Sequence, residues 1–298
     1  MASTVVKTIG AVVGVFVLLV VVAVGAFYLL SSRKLKQTYT VTPAALTIPT
    51  DSAALERGRH LVTVRLGCTA CHTPDLGGQV AIDAMPFGRF VATNITPGGT
   101  VGTYNDADWV RSIRHGIRPN GQPLLFMPSH VFAGLGAEDL GAVIAYMKTV
   151  SPVTRELPAS AVGPIGRMLI VTGKAPLIPA ELIDHAAALP SVPAEDSPEY
   201  GRYLVTTGGC TGCHGPGLSG GKLAGGPDDP PATNLTPTGI GEWSEADFII
   251  ALREGKRPNG TTINPFMPWQ TMGKMTDAEL QAIYRYLKTV PAKPYGQG

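Results

Sequence analysis

The chain has 298 residues, with 24 Lys and Arg against 22 Asp and Glu, and its formal net charge is +2. A protein that binds nucleic acid through phosphate contacts needs a basic stripe, so this near-neutral balance excludes nucleic acid as a partner. Hydrophobic residues form 44% of the chain, which excludes a disordered protein, while 36 Gly and 26 Pro predict many loops. The length predicts about two domains.

The N-terminal segment, residues 1–36, predicts a membrane anchor. Residues 9–30 carry no charge and would span roughly 33 Å as a helix, enough to cross a bilayer. A cleaved signal peptide is the competing interpretation, but its apolar region is usually about 7–15 residues. Arg33, Lys34 and Lys36 follow the segment, and the positive-inside rule would place the rest of the chain in the cytoplasm. The chemistry of the following segments favours the opposite side.

The rest of the chain contains an internal repeat at a spacing near 140 residues. Six motif pairs recur in the same order: GRHLV and GRYLV, CTACH and CTGCH, ATNITP and ATNLTP, RPNG and RPNG, FMP and FMP, YMKTV and YLKTV. This order predicts a tandem duplication, with a first repeat at residues 51–150 and a second repeat at residues 196–292. Residues 151–195 form a Pro-rich connector, and the apolar stretch at 165–171 predicts that it packs on one or both repeats.

All four cysteines lie in two Cys-x-x-Cys-His motifs, one in each repeat. The residues are Cys68, Cys71 and His72, and Cys210, Cys213 and His214. In such a motif two thiols on one helical turn can reach the haem vinyl groups and the imidazole can reach the iron. Zinc knuckles usually lie about 15–20 residues apart, and a thioredoxin-like pair needs a βαβ context that the sequence lacks. Structural disulfides are a third alternative. The motifs predict two covalently bound haem c groups.

The sixth iron ligand decides between electron transfer and catalysis, since a Met ligand raises the potential and closes the iron to substrates. Met127 and Met267 are the methionines that the repeat makes equivalent, each within Phe-Met-Pro. We predict them as the sixth ligands, with packing against the haem face as the alternative. His115 and His130 are rivals that have no match in the second repeat, and His60 is interpreted as a helix surface residue.

Capping signals predict that both repeats are built from short helices. Asp51 or Ser52 opens a first helix, and Ser197 with the following proline opens its counterpart. Asn105 and Ser244 begin middle helices that stop before a glycine. No segment has a convincing strand pattern. We therefore predict an all-α fold of two domains, with haem as the main component of each core, plus one transmembrane helix.

Two further motifs offer residues near the haem edge. Asn94 and Asn234 lie in matching Thr-Asn-x-Thr-Pro loops, and Arg118 and Arg257 begin matching Arg-Pro-Asn-Gly segments. One interpretation is that these side chains line the haem and hold its propionates, because an Arg fork suits a carboxylate. The other is that the segments are plain turns, since Pro-Asn-Gly is a strong turn signal.

The motif combination over roughly residues 52–290 resembles the cytochrome c subunits of bacterial membrane-bound alcohol, aldehyde and gluconate dehydrogenases. The run at residues 239–248, GIGEWSEADF, is especially similar to that family. The resemblance implies class I cytochrome c domains and haem attachment on the outer side of the membrane. It also implies the ligand pairs His72 with Met127 and His214 with Met267. Those subunits commonly carry three haem domains and a cleaved signal, and this chain departs from both features.

These features predict an electron-transfer subunit rather than an enzyme. The expected location is the bacterial inner membrane, with one membrane pass and the haem domains on the periplasmic side. The expected partners are the membrane and redox subunits of a periplasmic dehydrogenase or a quinol-oxidising complex. A di-haem subunit of a terminal oxidase complex is the alternative, followed by a di-haem peroxidase.

Overall fold

The computed structural model describes residues 2–223 and 229–297. The α-helices, in chain order, are α1 (Ala2–Lys36), α2 (Ser52–His60), α3 (Cys68–His72), α4 (Asp106–His115), α5 (Ser129–Phe132), α6 (Ala137–Met147), α7 (Pro164–Thr172), α8 (Pro198–Thr207), α9 (Cys210–His214), α10 (Pro237–Ile240), α11 (Glu245–Glu254), α12 (Trp269–Met272) and α13 (Asp277–Thr289). The strands are β1 (Gln79–Ala84), β2 (Gly88–Ala92) and β3 (Ala161–Val162). A π-helical turn, Leu61–Arg65, continues α2, and 3₁₀ turns cover Thr100–Thr103 and Pro179–Leu182.

Helix α1 is, among the described residues, the one helix long and apolar enough to cross a membrane. Its side chains from Thr4 to Ala26 are exposed, which is expected of a helix whose apolar surface needs a lipid or protein neighbour. Its C-terminal end packs on α7, where Arg167 Nη1 donates to Ser31 Oγ at 2.9 Å and Ser32 Oγ at 3.1 Å. The Arg167 guanidinium also lies over the Tyr28 ring, 5.1 Å from its centroid.

Each repeat is organised around a close crossing of its first and last long helices. Helix α2 packs on α6 in the first repeat, and α8 packs on α13 in the second. Glycine makes both crossings possible, because a methyl group on Gly58 would overlap the Ala142 carbonyl and one on Gly201 would overlap the Ala282 carbonyl. These are the glycines of GRHLV and GRYLV, so the repeated motif encodes the crossing.

The capping signals read from the sequence mark the observed helix starts. Asn105 caps α4 and Ser244 caps α11, and in each case an Asp three residues later bonds back to the cap. The Asp51 side chain accepts from the Ala54 amide at the start of α2. Such caps satisfy amides that lack a partner within the helix. Helices α4 and α11 both end at a left-handed glycine, Gly116 and Gly255.

The three strands correct the prediction of an all-α fold. Strands β1 and β2 form an antiparallel hairpin, and β3 from the connector pairs with β2. The register shifts between Val80 and Ile82, which obscures the alternation expected of a strand. Strand β3 contributes two residues and lies about 70 positions along the chain from its partner, so local pattern could not reveal the pairing.

The connector packs on the first repeat. Its apolar segment forms α7 and the turn that follows, and these bury a small core against β2 and the loop after α4. The members of this core are Phe90, Ile117, Ile170, Leu177, Ile178 and Ala180. Further along, the Arg114 guanidinium donates to the carbonyls of Ala187 and Ala188 at 2.9 and 3.0 Å. The connector is therefore part of the folded body rather than a free linker.

The two repeats meet through reciprocal contacts beside the cysteine motifs. Helix α5 of the first repeat packs on α8 of the second, and α12 of the second packs on the π-helical turn of the first. Helices α5 and α12 each follow a Phe-Met-Pro segment. Each repeat therefore packs the short helix after this segment on the helical segment that leads into the other repeat's cysteine motif.

Candidate functional site

The two Cys-x-x-Cys-His motifs each form a five-residue helix with the same entry. Helix α3 follows Gly67 and helix α9 follows Gly209, both with positive φ, 62° and 75°. That left-handed conformation favours glycine and turns the chain sharply out of the preceding helix. None of the four cysteines is joined to another by a disulfide. Because the two cysteines of each motif are three residues apart on a helix, they lie on the same side of it.

Both histidines are held by the same hydrogen bond. His72 Nδ1 lies 2.7 Å from the Thr93 carbonyl, and His214 Nδ1 lies 2.7 Å from the Thr233 carbonyl. A carbonyl can only accept, so Nδ1 carries the proton and Nε2 keeps a free lone pair for a metal. Burial lowers the pKa of both imidazoles although the carbonyl bond opposes it, which favours the neutral form that binds iron.

The cysteines lie in surroundings that disfavour charge. Burial raises the pKa of Cys68 to about 12 and that of Cys210 to about 11. Partial desolvation of the thiols also raises the pKa values of Cys71 and Cys213, although both residues are exposed. A zinc site needs thiolates, whereas a thioether to a haem vinyl group is uncharged. The donor set of each motif therefore fits covalent haem.

Met127 and Met267 occupy matching places in the two repeats. Both are partly buried and pack against the main apolar core, as do Cys68 and Cys210. Each is followed by a proline that precedes the short helix α5 or α12. A thioether beside an apolar haem face is a suitable ligand for iron. Their role as the sixth ligands remains a prediction.

The rival histidines face the connector. His115 Nδ1 lies 3.0 Å from His185 Nδ1, and burial with the neighbouring His185 lowers the pKa of His115 to about 4. His130 lines a cavity together with Lys174 and Glu181, and its Nδ1 is buried with no hydrogen-bond partner among the described residues. The His115 imidazole is thus engaged with the connector, and the choice of Met127 over His130 as a ligand stays a prediction.

Asn94 and Asn234 tie the Thr-Asn-x-Thr-Pro loops to the chain that follows each repeat's last helix. Asn94 Nδ2 donates to the Val153 carbonyl at 2.6 Å, and Asn234 Nδ2 donates to the Lys293 carbonyl at 2.8 Å. Each Oδ1 accepts from the amide and the hydroxyl of the threonine two residues on. These bonds fix the loops whose carbonyls hold His72 and His214. A contact with haem itself stays a prediction.

Arg118 and Arg257 hold their own turns. Arg118 Nη1 donates to the Pro123 carbonyl at 3.1 Å, and Arg257 Nη1 donates to the Thr262 carbonyl at 2.6 Å. The turn interpretation of Arg-Pro-Asn-Gly therefore describes the observed bonds. The propionate interpretation is still a prediction for both residues.

A buried polar cluster between the repeats was missed from the sequence. His60 does not lie on a free helix surface, because its Nε2 is 2.8 Å from Glu279 Oε2 in the other repeat. Tyr203 Oη donates to Asp139 Oδ2 at 2.6 Å, and Arg65 Nη1 donates to the same oxygen at 3.1 Å. Arg65 Nε also lies 3.5 Å from Glu279 Oε1. The available signal was that the repeat places polar residues at both copies of two positions, His60 with Tyr203 and Asp139 with Glu279.

A family model described as cytochrome c matches residues 55–151 and 198–291. The chain therefore belongs to the cytochrome c family, and the two matched segments contain the two motifs just described.

The chain is similar to several proteins that are named as cytochrome subunits. It is 34% identical to the cytochrome c subunit of an alcohol dehydrogenase (quinone) from Komagataeibacter europaeus, over 92% of this chain and 62% of that protein. It is 30% identical to the cytochrome subunit of a fructose dehydrogenase from Gluconobacter japonicus, over 85% of this chain and 55% of that protein. A diheme cytochrome c-type protein from Cereibacter sphaeroides is 29% identical, over 76% of this chain and 82% of that protein. The chain spans about six-tenths of the length of the first two.

Proposed function

We propose that this protein is an electron-transfer subunit with two covalently bound haem c groups. Residues 1–36 anchor it in the bacterial inner membrane, and cytochrome c domains at 51–150 and 196–292 lie on the periplasmic side. Residues 151–195 form a packed connector between them. The periplasmic side follows from the cysteine motifs, because haem attachment takes place on the outer side of the membrane in the family that the sequence resembles.

The observation that carries this proposal is the duplicated histidine geometry. In each repeat a Cys-x-x-Cys-His helix, a carbonyl 2.7 Å from histidine Nδ1 and a matching methionine occur together. Bound haem supplies one-electron redox chemistry at its iron. His72 and His214 would provide the fifth ligands and Met127 and Met267 the sixth. The thiols would fix the groups covalently.

The protein residues act by binding, orienting and shielding. The carbonyls of Thr93 and Thr233 orient the imidazoles, and the bonds of Asn94 and Asn234 hold those carbonyls in place. Methionine at both sixth positions would raise the potential and leave no iron open to substrate, and such a ligand set suits electron transfer rather than catalysis. The contacts of α5 and α12 with the opposite repeat support a fixed arrangement of the two sites.

The partner is proposed to be a membrane-bound dehydrogenase. Several relatives are named as cytochrome subunits of alcohol, fructose or gluconate dehydrogenases, and these names supply the support. A quinol-oxidising complex and a terminal oxidase remain competing partners.

Purification of the intact complex in mild detergent tests this proposal. We expect mass spectrometry to find a dehydrogenase subunit with the chain, and the absorption spectrum to report two haems per chain. Co-purification with haem–copper oxidase subunits would instead support the terminal oxidase. If the chain purifies without partner subunits and its reduced form turns over peroxide, the protein is an enzyme and the proposal is overturned.

A further inference from the structure

An exposed apolar patch lies beside the end of α1. It consists of Met85 in the β1–β2 turn and Ile165 and Met168 on α7, with exposed fractions of 67%, 42% and 47%. Helix α7 has two further faces. Gly166 and Ile170 are buried against the protein, and Arg167 faces α1. The face of α7 that points outward is therefore apolar. No other part of the described chain covers it.

The contacts between α7 and α1 show where the patch lies along the length of α1. Arg167 contacts Tyr28, Ser31 and Ser32, while Val171 lies in one groove with residues that include Lys34. The two helices therefore run in the same direction, and the start of α7 lies nearest the membrane segment. Tyr28 and Ser31 mark the end of the uncharged run 9–30. In a spanning helix, that is where hydrocarbon meets the lipid headgroups.

The hairpin turn is fixed to the same end of α7. The Ile165 amide donates to the Pro86 carbonyl at 3.1 Å, and the Gly163 amide donates to the Phe87 carbonyl at 3.0 Å. These bonds place Met85 next to the first turn of α7. The β1–β2 turn and the first turn of α7 therefore both present apolar side chains at the same position along α1.

The charges around the patch suit an anionic membrane surface. Arg33 and Lys36 at the end of α1 are exposed, as is Lys174 just after α7. The nearby acid Glu181 is neutralised by Lys34, 2.9 Å away. On the hairpin, Asp83 is likewise paired with Arg89 at 3.0 Å. A basic rim around an apolar face is the pattern of an element that lies in a lipid interface.

We propose that Met85, Ile165 and Met168 insert into the interfacial layer of the bilayer that α1 crosses. This inference rests on the proposed membrane anchor. The first repeat is then held on the membrane at two places, by α1 and by this patch. It therefore does not rotate freely about residues 37–50, the segment that joins it to α1. The site of His72 keeps a fixed orientation towards partners in the membrane.

Thiol labelling of the full-length holoprotein tests the insertion. Met168→Cys and Ile250→Cys are prepared separately, since Met168 and Ile250 are exposed to 47% and 44% and give a matched pair. Phe16→Cys in the middle of α1 reports on the anchor. Each variant is placed in vesicles of phosphatidylethanolamine and phosphatidylglycerol and treated with a charged, membrane-impermeant maleimide. Mass spectrometry gives the labelling rate, and the haem spectrum confirms folding.

We expect Met168→Cys to react roughly tenfold or more slowly than Ile250→Cys, because a charged reagent is excluded from lipid. Ile165→Cys should react equally slowly. It replaces Met168→Cys in the comparison if Met168→Cys fails to load haem. Equal rates for Met168→Cys and Ile250→Cys, with Phe16→Cys unreactive, would overturn the insertion and leave the anchor intact. Reaction of Phe16→Cys at the Ile250→Cys rate would overturn both the anchor and the insertion.

Discussion

The Tyr203 hydroxyl donates to Asp139 across the boundary between the two repeats, at 2.6 Å. The contact occurs a second time with the repeats exchanged, as His60 and Glu279 at 2.8 Å. His60 and Tyr203 hold the same place in GRHLV and GRYLV, and Asp139 and Glu279 lie equally far before YMKTV and YLKTV. The interface therefore has approximate two-fold symmetry.

Tyr203→Phe should lower the free energy of unfolding by about 1–3 kcal/mol, because a buried hydrogen bond to a charged group is lost. The hydroxyl also accepts from the Gly136 amide, which would lose its partner. Urea unfolding followed by far-ultraviolet circular dichroism provides the measurement. Tyr146→Phe removes the same atom from a partly buried tyrosine and is the control. Equal effects of the two changes would contradict a special role for the Tyr203 contact.

Glu279 should make the stability depend on pH. Burial opposes its ionisation, but the His60 hydrogen bond, the Thr276 amide and the charge of Arg65 outweigh burial and lower its pKa. A carboxyl whose pKa is lower in the folded state stabilises the protein fully above its unfolded value, about 4.3, and loses this effect as pH falls through the folded pKa. The stability difference between the native protein and Glu279→Gln should therefore be largest near neutral pH and shrink in acid.

Unfolding of both proteins in urea at several pH values between neutrality and acid measures this difference. A difference that stays constant over the whole range would show that the Glu279 charge does not contribute to folding.

Gly201→Ala should destabilise the second repeat by about 1–3 kcal/mol, because the added methyl overlaps the Ala282 carbonyl on α13. Gly212→Ala is a close control. Its methyl group meets no atom within 4 Å, and the change turns CTGCH into the CTACH of the first repeat. Thermal unfolding of both variants gives the comparison. A stable Gly201→Ala protein would mean that the α8–α13 crossing can open without cost.

Met127→Ala and Met267→Ala should each lower the reduction potential of one haem and open its iron to carbon monoxide. Axial ligands set haem potentials over about 0.8 V, and we expect a fall on the order of 0.1–0.3 V. Spectroelectrochemical titration and carbon monoxide difference spectra measure the two effects. Met85→Ala, on the exposed hairpin turn, should change neither. An unaltered potential and no carbon monoxide binding in either ligand variant would reject that methionine as a ligand.

Features encoded by neighbouring residues were predictable from the sequence, and features that depend on distant pairing were not. The caps at Asn105 and Ser244 give helix starts because the cap and its partner are three residues apart. The pairing of β2 with β3 and the contact of His60 with Glu279 join segments about 70 and 219 residues apart. Periodicity carries no information over such separations, so these features emerge only when the chain is folded.

The approximate two-fold interface resembles that of a homodimer fused into one chain. Two separate copies would associate in proportion to their concentration, whereas tethered halves meet at an effective concentration of roughly millimolar. In a homodimer, moreover, every substitution appears on both sides of the axis. A fused chain can alter one side alone, and here one side pairs an imidazole with a carboxylate while the other pairs a phenol with a carboxylate. One contact of the interface can thus change its chemistry while the equivalent contact stays as it is.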